Sequence, residues 1–137
     1  MKLISKHEMV SALVDHPYES NPNLVAKVNF FYFSPDKKLA IAYYESPPGW
    51  FDVEVKGFSE IDYVLEGEVE LISDSSTIRV KAGDSFLIED GDKLRWKMHT
   101  TSKMLFFIYP ITEEIDKLID SFYRESQTST GASLFVQ

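Results

Sequence analysis

Closely spaced turn residues divide this chain into short segments rich in aromatic and β-branched residues, and this pattern restricts the fold more than any other feature. The segments KVNFFYF (27–33) and KLAIAYYE (38–45) flank SPDK, in which Pro35 and Asp36 favour a tight turn, so we predict a hairpin there. The segment KMLFFIYP (103–110) is a continuous apolar run, typical of a strand buried on both faces. Further strands are predicted over 50–55 and 60–73, with three more between 76 and 98. Many short strands with close turns predict an all-β sandwich or barrel.

Two helices are predicted outside these strands. Thr112 can cap a helix over EEIDKLIDSFYRE, and a shorter helix is expected after Ser5. The apolar residues of the longer helix form one stripe that we expect to lie against the barrel, namely Ile115, Leu118, Ile119 and Phe122. We therefore divide the chain into an N-terminal segment (1–26), a β-barrel (27–111), a C-terminal helix (112–125) and a tail (126–137). The tail is polar until its last few residues, so we expect it to fray or to pair with a partner chain.

Composition excludes several classes of protein. The length of 137 residues suits one domain, and 44% hydrophobic residues supply enough apolar surface for a core. Acidic residues outnumber basic ones by 22 to 14 without a basic run, which argues against nucleic acid as a partner. The absence of cysteine excludes disulfides and thiolate metal sites. No secretory signal pattern and no membrane-length apolar run is visible, so we expect a soluble cytoplasmic protein that does not bind membranes.

Two motifs carry a family resemblance. EIDYVLEGEVEL followed by VKAGDSFLIEDGDKLRW resembles the paired motifs of the cupin superfamily. Within it, YYESPPGWF, EIDYVLEGE, AGDSFLI and LFFIYP occur in the order of the ethanolamine-utilisation Q-type cupins, from about Ala40 to Pro110. The resemblance implies a single-domain double-stranded β-helix, the jelly-roll barrel, here with a C-terminal helix.

The same resemblance implies a metal site, which the sequence does not supply. Cupins usually hold a divalent metal through a histidine cluster and a glutamate in the first motif and one more histidine in the second. Aligned on Glu60, the first two ligand positions hold Glu54 and Lys56, or two valines at a longer spacing, and the later histidine position holds Leu94. A lysine beside the site would repel a bound cation. We therefore predict no metal and no cofactor.

Glu60 and Asp62 are the leading candidates for chemistry. They lie two residues apart on one strand face, about 6–7 Å from each other, and in cupins that face lines the cavity. Burial and like charge would raise the pKa of each carboxyl group, which suits a general base or acid. In the alternative interpretation, Lys56 or Arg95 neutralises them in a structural ion pair.

Neighbouring strands supply further candidates. Tyr43 can donate a proton or orient a substrate oxygen, and Glu45 and Glu54 are placed near the first motif in the cupin order. Trp50 and Trp96 either stack against a ligand or belong to the core. The candidate catalytic residues are Glu60, Asp62 and Tyr43, and the candidate ligand-binding residues are Glu45, Trp50, Glu54, Lys56 and Trp96.

The histidines carry no motif. His7 and His16 lie in the N-terminal segment, and we expect both to be solvated. His99 alternates with Trp96 and Met98, which we expect to point inward, so we expect His99 to point outward.

Two functions remain open. The first is an enzyme that processes a small molecule by metal-free acid–base chemistry, a metal-independent lyase or isomerase performing isomerisation, dehydration or cyclisation, with Glu60 as base and Tyr43 or Asp62 as partner. The second is a non-catalytic cupin that binds a metabolite or serves as an accessory protein of an ethanolamine-utilisation-like pathway. A buried Glu60 beside Asp62 in an open pocket favours the enzyme, and a cavity filled by Phe and Tyr favours the second role.

The first motif also predicts how the chain associates. Ile61, Tyr63 and Leu65 form an apolar face on the same strand as the carboxylates. Because a two-fold interface reuses one patch on both subunits, we expect a homodimer.

Overall fold

The computed structural model describes residues 1–130, with side chains through residue 121. Its elements are α1 (Lys6–Val10), β1 (Val14–Pro17), β2 (Val25–Phe33), β3 (Ala40–Ser46), β4 (Gly49–Glu54), β5 (Ser59–Glu66), β6 (Glu68–Ile72), β7 (Thr77–Lys81), β8 (Ser85–Ile88), β9 (Lys93–Met98), β10 (Ser102–Tyr109) and α2 (Glu113–Thr130).

The strands form two antiparallel sheets that enclose one core. The larger sheet has the order β1-β2-β3-β10-β5-β8 and the smaller has the order β4-β9-β6-β7. Residues from both sheets meet in one apolar cluster, with Val28 and Val64 from the larger sheet and Val69 and Met98 from the smaller. The all-β prediction is therefore confirmed. Alternation of side chains with a period of two gives each sheet one inner and one outer face.

The predicted hairpin is present as the antiparallel pair β2 and β3. The stretch 60–73, by contrast, is not one continuous strand but two, because the chain leaves the larger sheet after β5 and enters the smaller one at β6. Gly67 makes this change possible with φ of +88°, and a Cβ there would lie 2.5 Å from the carbonyl oxygen of Thr101. Only glycine fits such a position without displacing its neighbours.

Strand β10 lies in the middle of the larger sheet, between β3 and β5. Its residues Met104, Phe106 and Ile108 are buried, whereas Leu105 and Phe107 are only half-buried. The prediction that both faces are buried is therefore only half right. No layer of the described chain fully covers the outer face at these positions.

The C-terminal helix begins as predicted. The hydroxyl of Thr112 accepts a hydrogen bond of 3.2 Å from the backbone N–H of Ile115 and so caps the first turn. Ile119 is buried, while Leu118 is 49% exposed. The helix continues to Thr130, beyond the end predicted at residue 125, and the side chain of Phe122 and the end of the tail lie outside the described residues.

The short N-terminal helix α1 also begins where it was expected, since the Ser5 hydroxyl accepts a hydrogen bond of 3.1 Å from the backbone N–H of Glu8. Within the described part of the chain, neither helix has the length and apolar character needed to cross a bilayer.

Candidate functional site

A cavity of about 470 Å³ lies between the inner faces of the two sheets, and α2 covers part of its rim. Ile115, Leu118 and Ile119 are the apolar residues that the helix contributes. Most of the lining is aromatic or aliphatic, and its polar and ionisable members are His16, Tyr18, Glu19, Tyr44, Asp52, Glu60, Asp62, Trp96 and Ser121. The volume suits a small molecule, and the few polar groups in an apolar wall are typical of a ligand site.

Strand β5 places Glu60 and Asp62, here called the carboxyl pair, on the cavity wall. Asp62 is 1% exposed, and Glu60 is half-buried because its side chain borders the open cavity. The carboxyl of Asp62 donates a hydrogen bond to that of Glu60. The second oxygen of Asp62, Oδ1, is buried and has no hydrogen-bond partner in the described structure.

The surroundings raise the pKa of both members of the carboxyl pair. Burial raises the pKa of Asp62 well above its ordinary value, and the charge of Glu60 and the hydrogen bond to it raise that pKa further. Burial also raises the pKa of Glu60, although the hydrogen bond from Asp62 opposes this rise. Asp62 is therefore the member of the pair that holds its proton more strongly, and Glu60 is the member that ionises first.

Neither basic residue considered at the sequence level neutralises this charge. Arg95 forms a two-pronged pair with Asp52, at 2.9 Å from Nε to Oδ1 and 3.2 Å from Nη2 to Oδ2. Lys56 lies 3.7 Å from Glu54, between Nζ and Oε1. The interpretation of Glu60 and Asp62 as a structural ion pair with Lys56 or Arg95 is therefore wrong.

Two tyrosines stand near the carboxyl pair. The hydroxyl oxygens of Tyr18 and Tyr44 are 2.8 Å apart and share a hydrogen bond. Burial raises the pKa of both phenols, and the negative charge of the carboxyl pair contributes to the rise. Both tyrosines therefore remain neutral hydrogen-bonding groups at physiological pH.

His16 corrects a prediction from the sequence, because it lines the cavity rather than lying in solvent. Strand β1 pairs with β2 and places His16 opposite Ala26, and its ring centroid is 4.5 Å from that of Tyr18. Burial lowers the pKa of His16 to about 4, so its imidazole is neutral at physiological pH. No local signal marks this position, since it depends on a strand pairing that the sequence pattern did not reveal.

Aromatic rings form one side of the cavity. The ring of Phe51 stacks on Tyr18 with 3.9 Å between centroids and on Trp96 with 5.1 Å. Trp96 is only 4% exposed yet lines the cavity, so it is both a core residue and a wall residue. Its indole Nε1 is a second buried polar atom without a hydrogen-bond partner in the described structure.

The structure does not bring Tyr43 and Glu45 into the cavity. The hydroxyl of Tyr43 donates a hydrogen bond of 2.8 Å to Oε2 of Glu45, and both side chains point to the face opposite Tyr44. The sequence-based placement was therefore off by one residue on β3, and Tyr44 takes the position assigned to Tyr43. Because both positions carry tyrosine, residue type gave no means to choose between them.

Three further candidates also lie outside the cavity. The ring of Trp50 is covered by Arg95, whose Cζ is 4.0 Å from the ring centroid. Glu54 borders a separate, open cleft of about 570 Å³ beside β4 and β9, and Lys56 is exposed next to it. His99 lies at the surface as predicted, 3.4 Å from Glu70 between Nε2 and Oε1.

The donor set does not fit the metal site that the fold suggests. The position of the second-motif histidine holds Leu94, and Glu54 and Lys56 are turned away from the cavity. Among the residues that the structure describes, no group of three or more His, Asp or Glu side chains is arranged to hold an ion. Two of the cavity's carboxyl groups, those of Glu60 and Asp62, are hydrogen-bonded to each other. We derive no chemical step through a metal.

Two antiparallel sheets with a ligand-sized cavity between them define a jelly-roll barrel of the cupin type. The model of the family described as "Ethanolamine utilisation protein EutQ" matches residues 2–114. The chain therefore belongs to the EutQ family. No curated protein matches it.

Solved structures support the fold. The EutQ protein of Clostridium difficile matches with a TM-score of 0.59 and 23% identity, covering 66% of this chain and 71% of that one. The ethanolamine utilization protein Q of Salmonella typhimurium matches with 0.63 and 21%, over 72% and 80% of the two chains. A protein described as a predicted oxalate decarboxylase from Thermotoga maritima matches with 0.58 and 20%, over 73% and 95%. At these identities the likeness shows the fold alone.

Proposed function

We propose that this protein processes a small molecule in the barrel cavity by metal-free acid–base chemistry, as a lyase or isomerase. The observation that carries the proposal is the carboxyl pair, two hydrogen-bonded carboxyl groups at the wall of an open cavity with no Lys or Arg among the described lining residues. Two carboxyl groups whose surroundings push their protonation states apart can act as acid and base in one step. The cavity is not filled by aromatic side chains, which was the condition that favoured a binding role.

Each member of the pair has a separate task in this mechanism. Glu60 borders the cavity and accepts a proton from an acidic C–H of the substrate, while Asp62 gives its proton to a substrate oxygen. In an isomerisation, Glu60 then returns the proton to a second carbon while Asp62 takes its own proton back from the substrate oxygen. In a dehydration, the protonated oxygen leaves as water. The pair carries one negative charge before and after the step, so no charge has to enter or leave the cavity.

The two hydrogen-bonded tyrosines orient the substrate. Because Tyr18 and Tyr44 stay neutral and one hydroxyl donates to the other, the pair can offer a substrate oxygen one hydroxyl proton without competing for the substrate's proton. Neutral His16 adds a hydrogen-bonding group on the same side of the cavity. Tyr44 replaces Tyr43 in this role.

Proton transfer to carbon can be tested before the substrate is known. The protein is incubated in D₂O with a panel of small hydroxy and oxo compounds, and loss of C–H signals is followed by ¹H NMR. We expect exchange into at least one compound, its loss in Glu60→Gln, and its retention in Glu66→Gln. Glu66 lies on the same strand but is exposed and 3.3 Å from Lys103. Exchange that persists in Glu60→Gln contradicts the proposal.

A second candidate is a metabolite-binding accessory protein of ethanolamine utilisation, which the family match supports. In that role a ligand occupies the cavity and is recovered unchanged. Tight binding without exchange or turnover for any bound compound favours it over the enzyme.

A further inference from the structure

The charges around the cavity are all of one sign. Among the described residues that line it, the carboxyl groups are Glu19, Asp52, Glu60 and Asp62, and none of the lining residues is Lys or Arg. Asp52 is already paired with Arg95, which stands outside the lining. A ligand inside the barrel therefore faces a carboxyl pair whose charge is offset by no Lys or Arg among the described lining residues.

The cavity wall also limits how this charge is screened. The sides are formed by apolar and aromatic groups, including Phe51, Trp96 and Phe106, with low polarity near the carboxyl pair. In such surroundings a charge acts over a longer distance than in water. An anion brought into the cavity is repelled, and a cation is attracted.

Unpaired polar atoms add an independent sign that the site is incomplete without a ligand. The buried oxygen Oδ1 of Asp62 and the buried Nε1 of Trp96 belong to side chains that line this cavity from opposite sheets, and neither atom has a partner in the described structure. Leaving such groups unpaired costs free energy, which occupancy of the cavity can offset.

From these observations we infer that the cavity takes a small organic cation, a protonated amine whose carbon skeleton packs against the aromatic wall. This inference rests on the proposed function, because it names the substrate class of the same site. The ammonium group provides the missing positive charge near Glu60 and keeps that carboxylate ionised, which preserves it as the base. The apolar lining accepts the alkyl part, and the remaining space next to Glu60 holds the reacting carbon.

Three probes of one shape and different charge test this inference. The protein is titrated at about pH 7.5 with 3-methylbutylamine, 3-methylbutanol and 3-methylbutanoate, and affinities are measured by calorimetry and by NMR shifts of cavity residues. We expect the amine to bind at least about 10-fold more tightly than the alcohol, and the carboxylate at least about 100-fold more weakly than the amine.

Variants identify the source of the preference. In Glu60→Gln the amine should lose its advantage over the alcohol, while in Glu66→Gln, which changes an exposed charge on the same strand, the advantage should remain. A carboxylate that binds as tightly as the amine, a preference that survives in Glu60→Gln, or no binding of any probe overturns the inference. If Glu60→Gln does not fold, the ranking of the three probes on the unaltered protein still decides.

The result is separable from the test of catalysis. Charge preference is measured without turnover, so a protein that prefers the amine but exchanges no C–H proton keeps the inference and loses the proposed enzyme. A protein that exchanges C–H protons but binds the carboxylate most tightly keeps the proposed enzyme and loses the inference of a cationic ligand.

Discussion

Strand β5 reverses the usual distribution of side chains over the two faces of a half-buried strand. Its inner face carries Glu60 and Asp62, and its outer face carries Ile61, Tyr63 and Leu65, which are 48%, 39% and 44% exposed. Charged groups are thus inside and apolar groups outside. Both placements cost free energy in an isolated chain, and we propose that a ligand offsets the cost on the inside and a second protein surface offsets it on the outside.

Strand β9 shows the usual arrangement in the same molecule. Trp96 and Met98 are buried on its inner face, whereas Arg95 and Lys97 are exposed on its outer face. Because β9 and β5 lie in opposite sheets around one cavity, the contrast is not a general property of the barrel. Between these two strands, the inversion is found on the one that carries the carboxyl pair.

The largest effect is expected for Glu60→Gln, which keeps the size of the side chain and removes the base on the inner face. Turnover or C–H exchange should fall by about 10²- to 10⁴-fold, because general base catalysis contributes that much. The measurement is the exchange rate under saturating compound, together with the thermal midpoint of the same variant. Glu66→Gln on the same strand serves as the matched control. Full activity with a lowered midpoint would leave Glu60 as a structural group only.

The outer face is tested by Ile61→Lys. Ile61 pairs directly across the sheet with Leu87, which is 50% exposed, so the two contribute to one apolar patch. We expect the unaltered protein to be a dimer at about 10 µM and the variant to be a monomer. The lysine would bury an ammonium group in the interface, and the dissociation constant of the dimer should rise about 100-fold. Light scattering or sedimentation measures the change.

Ile78→Lys is the control for this substitution, since Ile78 has the same 48% exposure but lies on β7 in the other sheet. It should leave the dimer intact. A monomeric unaltered protein, or equal effects of both substitutions, would show that the exposed apolar residues of β5 do not form the interface.

A smaller effect concerns acid stability and the cavity residue His16. Its pKa is lowered to about 4 from 6.5, so between these values the unfolded chain binds a proton that the folded chain does not. The contribution of neutral His16 to stability is complete above pH 6.5 and is lost as pH falls towards 4, by about 3 kcal/mol. Urea unfolding of the unaltered protein and of His16→Phe, measured between about pH 4 and 7, should show this dependence only in the former.

The carboxyl pair contributes to the pH dependence of stability with the opposite sign to His16. The raised pKa values mean that the folded chain retains protons that the unfolded chain has lost, so stability falls as pH rises above the ordinary carboxyl range. Asp62→Asn should reduce this fall, whereas the opposite dependence that arises from His16 should remain in the variant. A profile of Asp62→Asn that matches the unaltered protein would contradict the raised pKa of Asp62.

The smallest expected effect is that of a chelator. Because the inner face offers two carboxyl groups hydrogen-bonded to each other and no imidazole on β9, we expect no stoichiometric transition metal in the purified protein and no shift of its thermal midpoint with EDTA. Elemental analysis checks the first point and differential scanning fluorimetry the second. About one tightly held metal per chain would overturn this expectation.

Much of the fold could be predicted from the sequence, because its elements depend on local signals. The hairpin at Pro35, the cap at Thr112 and the alternation along β9 follow from turn chemistry, capping and a period of two. The division of residues 60–73 between two sheets was missed. It depends on the close approach of Thr101 to Gly67, which comes from a distant part of the chain.

Prediction of the site was less complete. Glu60, Asp62 and Trp96 were identified because the family motifs mark their strands, and all three line the cavity. Tyr43 was chosen in place of its neighbour Tyr44, because the inward face of β3 is set by its pairing with β2 and β10 rather than by its own residues.

The sequence by itself determined which residues share a face of a strand, because side chains alternate with a period of two wherever the chain is extended. Thus Glu60 and Asp62 had to lie on one face and Ile61 and Tyr63 on the other. Only the tertiary structure decided which face is inside. It also placed His16 of β1 against the same cavity, and it paired Arg95 with Asp52 rather than with Glu60. These outcomes depend on pairings between distant strands, whose free energy is summed over both sheets and cannot be read from any one segment.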